Sequence, residues 1–538
     1  MPNKYDVVII GGGVSGLTLG AMLGKLGYKC CIVEKEPQAG GYLAGFNRKG
    51  FLFDTAIHWL NQFNEEGISH RCFSFIDKAY PKPKRLINIQ RYQTDNFSIV
   101  LNTDLDKVKA DFINNFPNEK KGIEKFFRHA EQLSRTSHKL SNFVRSAETM
   151  SLFEKTLFYT RSLPAVLPLL KHIKYSGDKG VAKGLSKYFK QAAIRDIFSA
   201  ESDLLSCLFP LAWAKNGDYF TAPQGGSIQI VNWLMNQNSN FGTKVMLRTK
   251  AVKILAKKNI VTGIDAVQKK QKFSIDAKYV VIASDLISAY RKLLPQGLIS
   301  ERKITKLEHS VMYKSGFTVA IALDCPAKEL GFGEELIVLY KNNIDRKEHE
   351  DSNPEHSRLN IFSHSERDKT VCPEGQGMVS IFMSADIEKY NYWETEVDAD
   401  GKRLRGKAYK ELKKRIAKKL IERVDKEINP EFSKHILFFE TATPFTYHRY
   451  TGNHRGTMMG SRPGKENMQN GVASHFTGVT NLLVGGQWSE LGGGVPTTSR
   501  AAMNTALIIL RKENKKQYRK LAAYFDGKIN LNKLEKSL

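Results

Sequence analysis

The chain has 538 residues, 41% of them hydrophobic and 10% aromatic, which excludes a single small core and a largely disordered protein. Its 82 Lys and Arg residues outnumber its 55 Asp and Glu residues, and the formal net charge of +27 predicts an anionic partner. The sequence has no zinc-ligand spacing, RNA-binding signature or basic zipper, so we expect no nucleic acid and favour an anionic membrane surface.

The cysteines are scattered and form no C-x-x-C pair, which is typical of reduced thiols in a cytosolic protein. The N-terminus lacks the features of a secretory signal, and no uncharged apolar run reaches the ~18 residues of a spanning helix. We therefore expect a cytoplasmic protein that lies peripherally on a membrane. No sequence feature sets an oligomeric state. The cysteines are Cys30, Cys31, Cys72, Cys207, Cys325 and Cys372.

The first 35 residues predict a β-turn-α-β unit. Residues 5–10 are a continuous apolar run of strand-forming residues, GGGVSG follows, and LTLGAMLGKLGY has helical apolar spacing. A second buried strand is predicted over residues 30–35. This order of elements is the setting in which a glycine-rich loop binds a dinucleotide.

Each glycine of the loop has a separate function. Gly11 permits the tight turn, Gly13 lets the backbone approach a pyrophosphate, and Gly16 lets the helix pack closely on the strand. The phosphates would then meet the positive end of the helix that starts with Val14 and Ser15. Glu34, about twenty residues on, can accept hydrogen bonds from an adenosine ribose, with Lys35 beside it.

The segment after Glu34 favours FAD over NAD. Gly40 and Gly41 provide a second flexible backbone segment, which a nicotinamide fold does not need. An elongated FAD does need it, because its flavin end must be covered too.

Residues 104–190 form a helical, basic region. Within residues 151–175, Pro164 and Pro168 predict two short amphipathic segments rather than one long helix. Two interpretations remain open: a helical subdomain with a solvated basic face, or an interfacial membrane anchor. The anchor would hold its basic side chains near lipid headgroups, namely Lys155, Arg161, Lys171 and Lys174.

Strands return over residues 244–247 and 279–283, and again in a block from 310 to 384 that suits a mixed sheet along one wall of a pocket. The Lys-rich tail from residue 512 is expected to fray at its end.

The sequence resembles the CrtI-type flavoprotein family of phytoene desaturases, carotenoid isomerases and retinol saturases. The resemblance rests on GGGVSG with Glu34, QAGGY at 38–42, GFLFDTAIH at 50–58, PQGGS at 223–227, and the segments 443–456 and 481–506. It implies an α/β fold: a Rossmann-like, amine-oxidase-like FAD-binding domain, a mixed-sheet substrate domain and a helical subdomain. This subdomain is membrane-associating in the second of the two interpretations given above. The expected FAD-binding segments are 1–95, 221–295 and 441–512, with a helical subdomain at 96–220, a substrate domain at 296–440 and a basic tail at 513–538.

The resemblance also assigns further cofactor-binding residues. Val252 is expected to meet the adenine through its backbone. After the strand LLVGG, the N-terminal amides of a helix would point at the flavin and stabilise its reduced form. Many relatives carry an acidic residue where this chain has Gln487, whose amide can still bond a ribityl hydroxyl. The other residues of this motif are Gly486, Gly494, Val495 and Pro496.

Family members act on carbon–carbon bonds of long apolar polyenes, so the resemblance implies a polyene or isoprenoid substrate. The sequence offers no convincing nucleophile triad or metal site, and the chemistry would be the cofactor's. His58, His448 and Arg449 are the catalytic candidates because they lie within cofactor-adjacent motifs. Two alternatives remain: an amine-oxidase-like enzyme on a small substrate, and a non-catalytic prenyl-lipid carrier of the same fold.

Overall fold

The computed structural model describes residues 4–55, 57–94, 96–140, 143–198, 201, 203–342, 344–399, 401 and 403–537. Two seven-stranded sheets and two short strand pairs organise this part of the chain. The strands are β1 Lys4–Ile10, β2 Cys30–Val33, β3 Phe46–Arg48, β4 Phe51–Phe53, β5 Asn88–Gln93, β6 Ser98–Asn102, β7 Lys244–Met246, β8 Thr249–Lys257, β9 Ile260–Gln268, β10 Gln271–Ile282, β11 Ser315–Leu323, β12 Leu336–Leu339, β13 Leu359–Phe362, β14 Gly377–Ala385, β15 Glu396–Val397, β16 Arg403–Leu404, β17 Ile436–Ala442 and β18 Leu482–Val484.

Helices pack on both sheets. They are α1 Val14–Lys25, α2 Ile68–Ile76, α3 Leu105–Asn115, α4 Lys120–Leu140, α5 Leu152–Ile173, α6 Gly177–Leu185, α7 Ala192–Asp196, α8 Leu204–Lys215, α9 Ile228–Asn240, α10 Leu286–Lys292, α11 Glu301–Glu308, α12 Arg346–His349, α13 His364–Arg367, α14 Lys389–Glu394, α15 Lys407–Glu427, α16 Pro444–Thr451, α17 Lys465–Asn470, α18 Gly494–Glu513, α19 Lys515–Phe525 and α20 Leu531–Glu535. The short α14 is a left-handed turn, with positive φ at its last five residues.

The first sheet contains the predicted β-α-β unit. Its strand order is β7-β2-β1-β10-β9-β8, and β18 pairs with β10. β1 lies parallel to β2 and β10, and its residues Val7 to Ile10 are buried because helices cover both faces of the sheet. Since β1, β2, β10 and β18 are mutually parallel, their carboxyl ends open on one edge, where ligands bind in such folds.

The second sheet is mixed, as predicted, with the order β17-β11-β14-β13-β12-β5-β6. The β12–β5 pair is parallel and the other pairs are antiparallel. One face is covered by α15, which buries Leu412, Ile416 and Leu420. Because β5 ends at Gln93 and β6 begins at Ser98, the boundary expected at residue 95 falls between two strands of this sheet.

The prediction of two short segments over residues 151–175 was wrong, because α5 is one helix from Leu152 to Ile173. A capping box starts it: Ser151 Oγ accepts from the Glu154 amide and Glu154 Oε2 accepts from the Ser151 amide at 2.8 Å. Pro164 is exposed, so water can satisfy the carbonyls that its ring leaves without donors. No helix within the described ranges is long and apolar enough to cross a bilayer.

The expectation that the basic tail frays was also wrong as far as Ser537. α19 and α20 pack on the core of the first sheet, burying apolar side chains at helical spacing that the many lysines obscured in the sequence. Tyr518 Oη donates to the Thr149 carbonyl at 2.7 Å, and Arg145 pairs with Asp526 at 2.6 Å. The buried residues include Tyr518, Leu521, Ala522, Phe525 and Leu534.

Candidate functional site

A sharp turn carries the chain from β1 into α1 at the carboxyl edge of the first sheet. Gly11 has φ +118°, and a Cβ there would lie 2.7 Å from the Ala283 carbonyl oxygen. A Cβ on Gly16 would collide with the Gly11 carbonyl oxygen. Both glycines are therefore required by the protein's own packing, as the sequence predicts.

Gly13 differs from its neighbours because a Cβ there would meet nothing within 4 Å. The loop of Gly40 and Gly41 runs alongside: the Gly40 amide donates to the Gly12 carbonyl at 2.8 Å, and a Cβ on Gly41 would lie 3.5 Å from Gly13 Cα. We call the space bordered by these two glycine segments the glycine cleft. Its open side at Gly13 fits a pyrophosphate, which needs close approach to backbone amides.

Glu34 lies at the end of β2 beside the cleft. Its Oε2 accepts from the Gly12 amide at 2.7 Å and its Oε1 from the Glu36 amide at 2.9 Å. Burial raises the pKa of Glu34, and these two amides act against that shift. The carboxylate therefore has the fixed orientation expected of a ribose acceptor.

Val252 lies on β8, which starts close to Glu34 because the Thr249 amide donates to the Glu34 carbonyl at 2.8 Å. The register with β9 shifts between Ala251 and Lys253, so Val252 forms a β-bulge. A bulged residue is left out of the ladder, and its backbone groups can bond a ligand instead. This geometry suits the backbone contact with adenine that the family resemblance implies.

The C-terminal motif completes the cleft from the other end of the chain. Ser15 Oγ donates to the Gly485 carbonyl and lies 3.0 Å from the Thr498 carbonyl, which ties the start of α1 to the first turn of α18. Gly494 begins α18 with φ +84°, and Val495 is buried. Gly486 precedes a short 3-10 turn that starts at Gln487, and Pro496 lies in the first turn of α18.

Sequence reasoning missed a buried acidic network behind this motif. Glu490 accepts from Asn504 Nδ2 at 3.0 Å, contacts His475 Nε2 at 3.3 Å and pairs with Arg500. Burial alone would raise the pKa of Glu490, but Arg500 and His475 lower it to about 2. In the sequence, the only indication of this pair is that Glu490 and Arg500 lie ten residues apart with three glycines between them.

The three catalytic candidates lie in different surroundings. His58 is mostly buried, and its ring lies 4.9 Å from Phe362 and 5.7 Å from Phe382, on strands of the second sheet. Burial and the nearby Arg367 lower the pKa of His58 to about 3, so it is neutral at physiological pH. It is therefore suited to line an apolar space rather than to donate a proton.

His448 and Arg449 are exposed on α16. His448 Nδ1 lies 2.8 Å from the Asn453 carbonyl, and the Arg449 carbonyl accepts from Lys35 Nζ at 2.8 Å. Lys35 follows β2, so this end of α16 lies beside the Glu34 end of the cleft. Within the part of the chain that the structure describes, no hydrogen bond or ring contact joins either residue to His58.

Among the residues that the structure describes, one group of side chains with metal-ligating atoms lies outside the cleft. Asp324, Cys325 and His435, between the end of β11 and the start of β17, hold such atoms within 4.8 Å of one another. Asp324 Oδ1 and His435 Nδ1 lie 2.8 Å apart and satisfy each other by a hydrogen bond.

Known proteins resemble both the N-terminal unit and nearly the whole chain. Residues 9–78 match the family described as NAD(P)-binding Rossmann-like domain. The all-trans-retinol 13,14-reductase of Danio rerio is 25% identical over 90% of this chain and 83% of its own length. Prolycopene isomerase 1 of an Oncidium hybrid cultivar is 24% identical over 85% of this chain and 75% of its own. The 4,4'-diapolycopen-4-al dehydrogenase of Metabacillus indicus is 23% identical over 95% and 98%.

Solved structures support the fold. Putrescine oxidase bound to putrescine superposes with a TM-score of 0.60 at 14% identity, covering 94% of this chain and 99% of that one. Cyclohexylamine oxidase from Brevibacterium oxydans gives a TM-score of 0.58 at 12% identity, covering 95% and 99%. These likenesses confirm the predicted amine-oxidase-like architecture.

The Rossmann-like domain and the relatives named above together indicate an oxidoreductase of the flavin-dependent class. The relatives named above match along most of the chain and not only over its N-terminal unit. They support the resemblance of this chain to the CrtI-type flavoprotein family.

Proposed function

We propose that the protein binds FAD and acts on carbon–carbon bonds of a long apolar isoprenoid or polyene, by desaturation, isomerisation or saturation. The observation that carries the FAD assignment is the extended cleft. Its two glycine segments contact each other, and the start of α1 contacts the N-terminal part of α18. A substrate of this class agrees with relatives named for retinol, prolycopene and diapolycopenal.

Each part of the cleft would hold one part of the cofactor. The amides near Gly13 and Val14 would bind the pyrophosphate, Glu34 the ribose and the Val252 backbone the adenine. Gln487 would bond the ribityl chain, and the amides at the start of α18 would face the flavin. Bound FAD would supply the redox chemistry at the double bond, and the protein would position the substrate and exclude water.

His58 would contribute to that positioning. Its neutral ring lies against Phe362 and Phe382, which suits the wall of a channel for an apolar chain. His448 and Arg449 remain candidates for contacts at the Lys35 end of the cleft.

The absorption spectrum of the purified protein tests the proposal first. We expect flavin bands near ~370 and ~450 nm and release of FAD on denaturation, identified by mass. The flavin is then reduced without oxygen, and retinoids and carotenoids in detergent are screened for its reoxidation or for isomerised products. Reduction of oxidised flavin by small amines instead would favour the amine-oxidase alternative, and a colourless protein that FAD cannot reconstitute would favour the lipid carrier.

We further propose that α5 places the protein on an anionic membrane, where such a substrate dissolves. Large apolar side chains on α5 project into solvent, including Leu152 at 84% and Phe153 at 78% exposure. The helix also exposes Arg161, Lys171 and Lys174, which can bind lipid phosphates. The other exposed apolar residues of the helix are Leu157, Tyr159, Leu163, Leu167, Leu170 and Ile173.

Replacing Leu163 and Leu167 together by glutamate is expected to weaken binding to vesicles with 30% anionic lipid by at least ~10-fold. The two leucines lie one turn apart on the exposed face. Each substitution removes roughly 1.5 kcal/mol or more of the free energy gained when the side chain is buried in the bilayer. Co-sedimentation with vesicles measures the loss. The control Lys414→Gln/Lys418→Gln changes the net charge by two on the exposed face of α15. Equal loss in the control, or wild-type indifference to lipid charge, contradicts the proposal.

A further inference from the structure

A small cavity with several polar lining residues lies where α13 meets the β3–β4 hairpin and the start of α9. Its volume is about 20 Å³, enough for one water-sized group. Asp54, Ile57, Pro223, Gly226, His364 and Arg367 contribute to its lining.

Most polar atoms of this lining have fixed partners. Asp54 Oδ1 accepts from the Ser227 amide at 3.0 Å and from Ser227 Oγ at 2.5 Å. Arg367 Nε donates to the Glu334 carbonyl at 2.6 Å, and its Nη1 donates to the His58 carbonyl. These bonds hold Asp54 and Arg367 in place.

Two residues that line the cavity each have a buried side-chain atom with no hydrogen-bond partner among the described residues: Arg367 Nη2 and His364 Nε2. The His364 side chain is 9% exposed, and its Nδ1 lies 3.7 Å from Asp54 Oδ2. Buried polar atoms are nearly always paired, and leaving one unpaired costs about 1–3 kcal/mol. A ligand that supplies both missing bonds would remove this cost.

One of the two atoms is a hydrogen-bond donor and the other is an acceptor. Arg367 Nη2 can only donate. Burial and Arg367 lower the pKa of His364 to about 3, so its ring is neutral. The Asp54 carboxylate near Nδ1 favours the proton there, which leaves Nε2 as an acceptor. A hydroxyl group can both accept a hydrogen bond from Arg367 and donate one to His364, a carbonyl can only accept, and a hydrocarbon can do neither.

Aromatic side chains connect this cavity to the apolar wall. The Phe362 ring lies 4.5 Å from the His364 ring and 4.9 Å from the His58 ring. An apolar chain that lay along His58 and Phe362 would therefore have one end near His364.

We propose that this cavity binds the terminal hydroxyl of the polyene, with Arg367 donating to its oxygen and His364 accepting its proton. The inference rests on the proposed function and narrows it to a substrate with an oxygenated end. The cavity volume fits this role, because it accepts a single small group and not the body of a polyene.

Binding of two matched probes to the flavin-loaded protein tests the inference. All-trans-retinol ends in CH2OH, and axerophtene is the same polyene with a terminal methyl group. We expect retinol to bind about 10-fold more tightly, as quenching of tryptophan fluorescence would measure. His364→Phe keeps an aromatic ring beside Phe362, and it should weaken retinol about 10-fold and leave axerophtene unchanged. Arg367→Lys should act in the same direction.

The control is His349→Phe, since His349 is also buried with both ring nitrogens unpaired among the described residues but does not line this cavity. It should leave the ratio of the two affinities at the wild-type value. Equal affinities for the two probes in flavin-loaded wild type would overturn the inference and leave the proposed function standing. Absence of flavin together with no binding of either probe would overturn both.

Discussion

Valine at Gly13 is expected to lower FAD affinity about 100-fold or more while the protein stays folded. The backbone at Gly13 has φ −73° and ψ 176°, which any residue adopts. A Cβ there would meet no protein atom within 4 Å, so we expect the valine side chain to occupy the space that a pyrophosphate needs. A 100-fold loss corresponds to about 2.7 kcal/mol. Titration of apoprotein with FAD measures the affinity, and circular dichroism and a thermal melt report the fold.

Two further variants separate binding from folding. Gly16→Val would collide with the Gly11 carbonyl and crowd Ile9, so we expect it not to fold. Gly464→Val, where a Cβ is also free of contacts, should bind FAD as the wild type does. If Gly13→Val binds FAD normally, the phosphate position assigned to the glycine cleft is wrong.

Loss of the carboxylate in Glu490→Ala is expected to lower the free energy of unfolding by about 3 kcal/mol and to release the flavin. Breaking a buried ion pair typically costs 3–5 kcal/mol, and the low end applies because the Arg500 side chain is 41% exposed and can be solvated. Glu490 also bonds Asn504 within α18, so its loss would disturb the helix that closes the cleft. Urea unfolding at pH 7 measures the change.

The same residue gives a pH signature. The pKa of Glu490 is about 2 in the folded protein and near 4.5 in the unfolded chain. Its ionised carboxylate therefore contributes fully to the free energy of unfolding above about pH 4.5, and this contribution is lost as the pH falls towards 2. Glu490→Gln keeps the shape but should lack this part of the acid dependence. Glu440→Gln, at an exposed pair with Arg48, is the control and should change stability by less than about 0.5 kcal/mol. A similar small effect at Glu490 would show that the network does not stabilise α18.

The sequence predicted the parts of the fold that local pattern determines. Gly11 and Gly16 lie where β1 turns into α1, and the turn could be read from spacing because steric limits act on near neighbours. The pairing of β5 with β12 joins residues almost 250 positions apart, and no local pattern encodes it. The Asp54–His364 contact depends on the same long-range assembly.

The misjudged helix has a similar cause. Pro164 and Pro168 are poor helix residues in general, but their cost depends on whether the freed carbonyls face water, which only the packed structure reveals. The tail was misjudged because its lysines dominate the composition, whereas its packing depends on six buried positions.

The bond between Ser15 and the Gly485 carbonyl has a consequence for biosynthesis. It spans 470 residues, so the first glycine turn leaves the ribosome long before its partner exists. At roughly 5–20 residues per second, that interval lasts about 24 to 94 seconds. During the first part of this time, until Ile282 has been added, β1 also lacks its neighbour β10, and its apolar edge is open to mispairing. Holoenzyme yield in cells should therefore depend on chaperones that shield the nascent N-terminal third, and flavin should be acquired only after release.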